Sequence, residues 1–408
     1  MTHSSPVSCI WIHAPFRSGG THIWNQFRSN EGFQCFYEPF NEWLSTYRRG
    51  KFDEEFVQMK PLMRHHMGEL EYFHEFPVDD EGRIIGFEEA FALDRVCCES
   101  DQTDERLQEY VQSLIASAKG KAVVFKSCRS TLRAGWLHDT FPLRGISIVR
   151  NPRDQFRSFA SFPEKYFDAN LLMQTAHCGT DPRLQHLQTL FPLQALEPGS
   201  LRAWICIYQS LAQCLPDNVR YAFFYTWWWI HLLETVPVSD FLFDMNSVAF
   251  KPDLQRLLDQ AGMPIDLKKC KAPLRADMKL DEAQLDIETW VEAQLWHAHP
   301  VSCQNFVNEV QRHEPFISDA VLKRVKRMRA TTPGHASVTA PAVISPSLSD
   351  WGPEVMKEVI KLQTHTQNLK NSLKTKDEYI AHLQQELALE KERFLECERY
   401  AKSLESSS

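Results

Sequence analysis

Two short segments of the chain combine arginine, hydroxyl and glycine residues in spacings that suit an anionic ligand. The first is residues 16–21, FRSGGT, which lie between an apolar run and an amphipathic stretch. Glycines let a backbone approach an anion closely, and the amides at a helix N-terminus point at it. Arg17 adds a fixed positive charge, and Ser18 and Thr21 add hydroxyl donors. The segment lacks the GxxxxGK[ST] spacing of a Walker A motif, and alone it is equally compatible with an ordinary glycine turn.

The second segment is residues 149–154, VRNPRD, with Ser158 following in a predicted helix. Arg150 closes an apolar run, and Pro152 suits the first turn of a helix. Arg150 and Ser158 are therefore expected to converge on one phosphate group. Residues 126–157 contain seven Lys/Arg and two Asp, a balance of 7 − 2 = +5 in a chain whose net charge is −8. This concentration favours a polyanionic small ligand, with a solvated basic face as the alternative.

A third segment, residues 239–264, runs as a strand, an acidic residue, a proline and a helix that ends near Gly-Met-Pro. The three segments, in this order, resemble the sulfotransferase superfamily, whose members use 3′-phosphoadenosine 5′-phosphosulfate (PAPS). The resemblance spans residues 16–264. It implies a sulfotransferase-type, P-loop-like nucleotide fold with a central parallel sheet flanked by helices. It also implies PAPS as the sulfuryl donor and no metal.

The resemblance further implies a set of cofactor-binding residues. The first segment would hold the 5′-phosphosulfate, and Arg150 and Ser158 would hold the 3′-phosphate. His22 stands where cytosolic members carry a tryptophan near the adenine, so it is included in the set. The implied cofactor-binding residues are Arg17, Ser18, Gly19, Gly20, Thr21, His22, Arg150 and Ser158.

Sulfuryl transfer needs a base for the acceptor proton and cations for the charge on the departing phosphate. Arg17 suits the second role, and Lys126 and Arg129 are candidates to contact either the sulfuryl group or an acidic acceptor. Cytosolic members carry a catalytic histidine after the strand that corresponds to residues 123–126, and its absence here favours a carboxylate base. Glu38, at the end of the second predicted strand, is the first choice, and Glu42 is the competing carboxylate. A salt bridge to an arginine, Arg17 among the candidates, is the alternative role of Glu38.

Two features favour the carbohydrate-type branch of the superfamily. Arg17 stands where cytosolic small-molecule members usually have lysine, and residues 35–43, CFYEPFNEW, resemble the Tyr/Phe-Glu-Pro segment of several carbohydrate sulfotransferases. The expected acceptor is a hydroxyl or amine of a carbohydrate, glycan precursor or small molecule. The family's late Gly-x-x-Gly-x-x-Lys motif is absent, and the lysines of residues 268–271 fit a solvated loop better than a phosphate contact.

Two other functions remain open at this point. A metal-dependent nucleotide phosphotransferase or kinase with a degenerate phosphate loop would require magnesium. A non-catalytic scaffold would leave a C-terminal coiled coil as the working part. The aromatic run of residues 223–229, FFYTWWW, fits a hydrophobic core better than a sugar-stacking platform, since large apolar side chains are usually buried.

An α/β framework is needed to position these residues. The chain alternates short apolar runs with amphipathic stretches, as such a fold requires, and continuous apolar runs are typical of buried parallel strands. The predicted strands are residues 7–13, 33–37, 122–126, 145–150 and 240–243. The predicted helices include residues 20–29, 154–162, 201–215 and 254–261.

The C-terminal part has a different pattern. Residues 1–329 are predicted to form the sulfotransferase domain, and residues 330–354 an Ala/Ser/Thr/Pro-rich linker. From Val359 to Leu404, alternating steps of three and four place apolar residues at eleven of fourteen positions. This heptad repeat predicts a coiled-coil helix over residues 355–405 and hence a homo-oligomer. A single amphipathic helix packed on the main domain is the alternative.

The composition excludes several classes of protein. The chain has 408 residues, 43% hydrophobic and 24% charged, which is globular rather than disordered. Its net charge of −8 argues against nucleic acid as a partner. Its 11 cysteines have no CxxC or Cys/His metal spacing, so neither a disulfide framework nor a structural metal site is expected. A secretory signal and a membrane-spanning run are not expected either, and a cytoplasmic location follows.

Overall fold

The computed structural model describes residues 9–49, 72–92, 96–98, 104–162, 165–178, 181–185, 187, 201–247, 252, 255, 256, 259, 282–313 and 317–330. The predicted coiled coil over residues 355–405 lies outside the described residues, as do nearly all of the predicted linker and most of the helix predicted at residues 254–261.

A five-stranded sheet forms the centre of the described chain. Its strands are β1 (Cys9–His13), β2 (Phe33–Tyr37), β3 (Ala122–Ser127), β4 (Arg144–Val149) and β5 (Phe241–Asp244). They pair in the order β2-β3-β1-β4-β5, and every pair is parallel. The predicted α/β class with a central parallel sheet is therefore confirmed.

The strands form where the sequence predicts them because each is an apolar run that can be buried on both faces. Residues 33–37 coincide with β2, whereas β4 and β5 are displaced by one residue from their predicted limits. Arg150, predicted as the last residue of its strand, lies just beyond β4.

Helices connect the strands and pack on the sheet. They are α1 (Gly20–Arg28), α2 (Glu105–Ser117), α3 (Ala134–Thr140), α4 (Pro152–Ala160), α5 (Tyr166–His177), α6 (Leu201–Cys214), α7 (Asp217–Thr235), α8 (Glu282–Ala298), α9 (Pro300–His313) and α10 (Asp319–Ala330). Pro152 opens α4, and the side chain of Asn151 caps it by accepting a hydrogen bond from the amide of Arg153 at 3.1 Å.

Alternation along β1 separates two faces of the core. Ile10 and Ile12 pack in one cluster with Ile23 and Trp24 of α1. Trp11 points to the opposite face, where its ring stacks on Phe125 at 4.5 Å and joins the cluster that contains α2. Both faces of the strand are thus covered, as a parallel sheet requires.

The aromatic run of residues 223–229 belongs to the core. All seven side chains are buried in α7, and six of them, all but Thr226, belong to the largest hydrophobic cluster. Trp228 also donates from its ring nitrogen to the carbonyl oxygen of Arg150 at 3.1 Å. Through this bond the run holds the backbone of the turn that follows β4.

A buried ion cluster holds α4, α7, α8 and α10 together. Glu288 of α8 is 1% exposed and accepts from Arg153 at 2.8 Å, Arg324 at 2.8 Å, Arg327 at 3.0 Å and the hydroxyl of Tyr221 at 2.6 Å. Burying a carboxylate is tolerable only with such partners. Arg153 of the VRNPRD segment is thereby fixed to the core and is not a solvated cap.

Cys97 and Cys178 form a disulfide, with their Cα atoms 6.3 Å apart. The expected absence of disulfides is wrong for this pair. The two cysteines are 81 residues apart in sequence, and only the fold brings the end of α5 beside residues 96–98. Among the described residues, none of the helices has the length and apolar character needed to cross a membrane.

Gly20 provides a test of the packing between β1 and α1. A Cβ at this position would overlap the Cβ of Ala14 and stand 3.1 Å from Cε of Lys126. We expect Gly20→Ala to lower the free energy of unfolding by about 1–3 kcal/mol through overpacking, measured by denaturant titration. Gly32→Ala, in an exposed turn, is the matched control and should change stability by less than about 0.5 kcal/mol. Equal stabilities of the two variants would contradict the close approach.

Candidate active site

The turn after β1 lies at a switch point of the sheet. β1 has β3 on one side and β4 on the other. The connection from β1 runs to β2, on the β3 side, whereas the connection from β3 runs to β4, on the opposite side of β1, so the direction of the connections reverses here. Ligands of open α/β sheets bind in the crevice beyond the carboxyl ends of the strands at such a point. Residues 16–21, the end of β3 and the turn after β4 all meet here.

Residues 16–21 form a tight turn that leads into α1. Arg17 and Gly19 both have left-handed backbones, with φ of 64° and 101°. Ser18 is 1% exposed, and its hydroxyl has no hydrogen-bond partner among the described residues. The first turn of α1 holds no acidic residue, and no side chain of the described chain caps it. The amide of His22 donates to the carbonyl oxygen of Gly19 at 2.9 Å, so the amides of Gly20 and Thr21 are the ones placed for an external acceptor.

The segment after β4 is bonded directly to this turn. Nε of Arg17 donates to Oγ of Ser158 at 2.9 Å, and Nη1 of Arg150 donates to the carbonyl oxygen of Arg17 at 3.1 Å. Nε2 of Gln155 donates to the carbonyl oxygen of Phe16 at 2.7 Å. The two predicted anion-binding segments, whose bonded residues Arg17 and Arg150 are 133 positions apart in the sequence, thus form one surface.

The donors of this surface suit an anionic group. Nε of Arg150 has no partner among the described residues, and burial lowers the pKa of its guanidinium. The buried hydroxyl of Ser18 is likewise a donor without an acceptor. Thr21 and Tyr37 share a hydrogen bond of 3.0 Å between their hydroxyls, and His22 is half-buried in the first turn of α1. We call residues 16–22, Arg150 and Ser158 the anion cradle.

Glu38 lies beside the cradle at the end of β2. It is 2% exposed and has a left-handed backbone, with φ of 50°. Its carboxylate accepts from Nζ of Lys126, from Nη1 of Arg129 at 3.2 Å, and from the amide of Cys128 at 3.0 Å. The Cys128 thiol donates to it as well, at 2.6 Å. The salt bridge expected as an alternative role is thus present, but its partners are Lys126 and Arg129.

Glu42 completes a buried group of four charges. Its carboxylate pairs with Nη2 of Arg129 at 2.5 Å and accepts from the hydroxyl of Tyr166 at 2.6 Å. Lys126 and Arg129 carry two positive charges and Glu38 and Glu42 two negative ones, so the group is neutral. We call these four residues the charge quartet. Such pairing is what makes complete burial of the ions tolerable.

The quartet keeps Glu38 ionised. Burial alone would raise the pKa of its carboxyl, but the charges of Lys126 and Arg129 outweigh burial and lower the pKa below its usual value. Burial raises the pKa of the Cys128 thiol to about 12, so this group stays protonated and donates. Glu38 is therefore a carboxylate at neutral pH, as a proton acceptor must be.

A cavity of about 80 Å³ opens between the cradle and the quartet. Arg17 lines one side and Glu38 and Arg129 another, with Asn41 and Cys128 between aromatic walls. The aromatic walls are Phe16, Tyr37, Trp43, Tyr72, Phe73, Phe162, Tyr166 and Phe167. We call this cavity the acceptor pocket. Arg17 of the cradle and the carboxylate-bearing Glu38 both face this space.

The structure joins the predicted residues in two groups. Arg17 bonds to both Ser158 and Arg150, and Glu38 contacts Lys126. The two groups meet at the pocket without a direct bond between Arg17 and Glu38 among the recorded contacts.

Sequence reasoning missed several residues of the site. The roles of Gln155 in holding Phe16 and of Tyr166 in holding Glu42 had no signal in the sequence. Both side chains act across more than 120 positions of the chain, and neither stands in a local motif that marks such a contact.

No protein-family model, curated protein or solved structure matches this chain. The features that indicate a function are therefore the residues of the cradle, the quartet and the pocket and the distances between them. Among the described residues, no cluster of three His, Cys, Asp or Glu side chains is arranged to hold a metal ion.

Arg129 provides a test of the quartet, because it alone pairs with both carboxylates. We expect Arg129→Met to lower the free energy of unfolding at pH 7 by about 3 kcal/mol, since a buried charge is left without its partner. Wild-type stabilisation from Glu38 is present above its unfolded pKa and is lost as the pH falls, because the folded pKa is lowered. The penalty of Arg129→Met should therefore shrink towards pH 4, because the ionised state of Glu38 that Arg129 stabilises is itself lost as the pH falls.

The matched control is Arg83→Met, which removes an exposed arginine that also pairs with two carboxylates, Asp79 and Glu81. It should leave the unfolding curve almost unchanged at both pH values, because exposed pairs contribute little. A penalty for Arg129→Met as small as that of the control would contradict the quartet.

Proposed function

We propose that the protein is a PAPS-dependent sulfotransferase that transfers a sulfuryl group to a hydroxyl, or an amine, of a carbohydrate or glycan precursor. The observation that carries the proposal is the direct union of the two predicted anion-binding segments through Arg17, Ser158 and Arg150. This union creates a cradle in which Oγ of Ser18 and Nε of Arg150 are unpaired among the described residues, next to a pocket that contains a buried carboxylate.

The proposal assigns the ends of the nucleotide to the two sides of the cradle. Ser18, Gly19, Gly20 and Thr21, with the first amides of α1, bind the 5′-phosphosulfate beside Arg17. Arg150 and Ser158 bind the 3′-phosphate, and His22 lies near the adenine. The unpaired hydroxyl of Ser18 and the unpaired Nε of Arg150 support this division, because a buried donor without an acceptor is costly unless a ligand supplies one.

PAPS, when bound, supplies the sulfuryl group and a leaving phosphate that gains negative charge. Glu38 accepts the proton of the acceptor hydroxyl, and Arg17 neutralises the charge that develops in the cradle. Lys126 reaches from Glu38 to the first turn of α1. Its ammonium pairs with Glu38, and its Cε would be 3.1 Å from a Cβ at position 20. We assign Lys126 the role of moving from the carboxylate towards the developing charge, which frees an oxygen of Glu38 for the proton.

The acceptor pocket supports a ring-shaped acceptor. Its aromatic walls offer flat apolar faces, and many of their polar atoms are already bonded within the protein. The ring nitrogen of Trp43 donates to Tyr166, for example, and Tyr166 donates to Glu42. A sugar that stacks its apolar face on such walls and directs one hydroxyl to Glu38 fits this arrangement.

The proposed enzyme also retains the oligomeric state and the location that the sequence predicts. The heptad repeat of residues 355–405 would make the protein a homo-oligomer, and the location would be cytoplasmic. A phosphotransferase and a non-catalytic scaffold are the outcomes against which the following experiments are designed.

Nucleotide binding is the first test. We expect 3′-phosphoadenosine 5′-phosphate (PAP), the desulfated product, to bind with micromolar affinity without magnesium and to raise the melting temperature by about 3 °C or more at a hundredfold excess over Kd. Arg150→Ala should weaken PAP at least about tenfold, since it removes a charge-assisted hydrogen bond.

Arg144→Ala is the matched control, because Arg144 begins β4 at the opposite edge of the sheet. It should leave the PAP affinity unchanged. No thermal shift at millimolar PAP, or a strict requirement for magnesium, would refute the cofactor assignment and favour the phosphotransferase.

Turnover is the second test, measured as transfer of radiolabelled sulfate from PAPS to a panel of glycans and to lysate of the native cell. We expect Glu38→Gln and Arg17→Ala each to lower turnover at least about tenfold. Glu38→Gln should leave PAP affinity nearly unchanged because Glu38 contacts the acceptor side. The exposed Glu109→Gln is the control. Near-normal turnover of Glu38→Gln would place the base elsewhere.

A further inference from the structure

A second, smaller cavity lies behind the acceptor pocket. Its volume is about 20 Å³, and Phe16 and Cys128 line both cavities. Apart from Pro15 and Thr131, the other walls come from α4, α5 and α7; the lining is mostly apolar, with Trp227 and Trp228 the largest side chains. We call it the inner chamber. Its size suits a single water-sized group and no more.

Two buried polar atoms of the chamber walls are unpaired. Nε2 of His231 and Oε1 of Gln155 have no hydrogen-bond partner among the described residues. Both side chains are almost completely buried, at 2% and 0% exposure. A polar atom at such depth is destabilising unless a partner satisfies it, so the pair marks a place where a polar group belongs.

The two atoms differ in their hydrogen-bonding character. Burial lowers the pKa of His231 to about 3, so its ring is neutral and carries one N–H. Nδ1 of that ring lies 2.9 Å from the hydroxyl of Thr131, the only recorded partner of this hydroxyl among the described residues. A buried hydroxyl satisfies its hydrogen by donating, so the network assigns the ring hydrogen to Nε2. Nε2 is then a donor into the chamber.

Gln155 supplies the complementary acceptor. Its Nε2 donates to the carbonyl oxygen of Phe16 at 2.7 Å, which fixes the orientation of the amide and leaves Oε1 as an acceptor. A donor and an acceptor in one small cavity match a hydroxyl group, which accepts one hydrogen bond and donates another. The residues that line the chamber include no carboxylate, lysine or arginine, so the group bound is neutral.

We propose that the inner chamber binds one hydroxyl group of the acceptor, carried on a short arm that passes between Phe16 and Cys128, and that His231 and Gln155 select for it. This hydroxyl is not the one that is sulfated. The inference rests on the proposed function only in taking the adjoining aromatic pocket as the acceptor site. His231 and Gln155 are then specificity-determining residues, since they reject an acceptor that leaves both atoms unpaired.

Two small probes that differ by one hydroxyl test the chamber: benzyl alcohol, a flat ring with a hydroxymethyl arm, and toluene, the same ring without the hydroxyl. Ligand-observed NMR titration of the full chain gives both dissociation constants. We expect benzyl alcohol to bind at least about tenfold more tightly than toluene. His231→Phe should reduce that ratio to within about twofold, because the chamber then lacks its donor.

Gln155→Met is the second variant and should reduce the ratio in the same way if His231→Phe does not fold. His138→Gln is the control, since this half-buried histidine lies outside the chamber, and it should keep the wild-type ratio. Equal binding of both probes to the wild-type protein, no binding of benzyl alcohol, or a ratio that survives both substitutions would overturn the proposal. PAP binding of the same samples reports separately on the proposed function, because the probe ratio does not depend on it.

Discussion

A charge that is removed from water must be paired, and this requirement organises the carboxyl edge of the sheet. Glu38 follows β2, Lys126 belongs to β3, Arg129 follows β3, and Glu42 begins a short helix after Glu38. Each ion is buried, so each needs the others within bonding distance. The pairing of β2 with β3, which sets Tyr37 beside Lys126, supplies the register that makes this possible. The floor of the acceptor pocket is therefore as fixed as the sheet itself.

The same requirement is met at Glu288 and left unmet in the cradle. Around Glu288 the arginines and Tyr221 satisfy the buried carboxylate and lock the start of α4 to the helices that follow the sheet. A few residues away, Ser18 and Arg150 retain unpaired donors among the described residues. The fully paired Glu288 fixes the start of α4 and so gives the unpaired donors of Ser18 and Arg150 a rigid support. Rigid support of a few convergent donors is what anion recognition requires.

Much of this arrangement follows from the sequence. Parallel strands buried on both faces are continuous apolar runs, so β1 to β5 were predictable to within one or two residues, and functional groups at their carboxyl ends were expected to meet. The meeting of the two segments needed only that logic, but the recorded bond joins Arg17 to Ser158, whereas the sequence predicted that Arg150 and Ser158 converge on one phosphate. Contacts such as Arg129 with Glu42, or Cys97 with Cys178, depend on how segments distant in the sequence pack together, and no periodicity of the sequence encodes them. Nothing in the sequence singled out His231 either, since a histidine within an apolar helix is normally a core residue with its hydrogen bonds satisfied.

Arg17 and Glu38 share a feature of the backbone that their chemistry does not require. Both occupy left-handed conformations, which are unusual for side chains other than glycine and asparagine and cost of order 1 kcal/mol each. At Glu38 this strain is outweighed, because losing the buried partner of Lys126 and Arg129 would cost more than the backbone would gain. At Arg17, which has no part in the quartet, selection for backbone preference alone would favour glycine or asparagine. Directed evolution that rewards only thermal resistance would therefore retain Glu38 and tend to erase Arg17, so a thermostabilised form of this protein is safest when position 17 is held constant from the start.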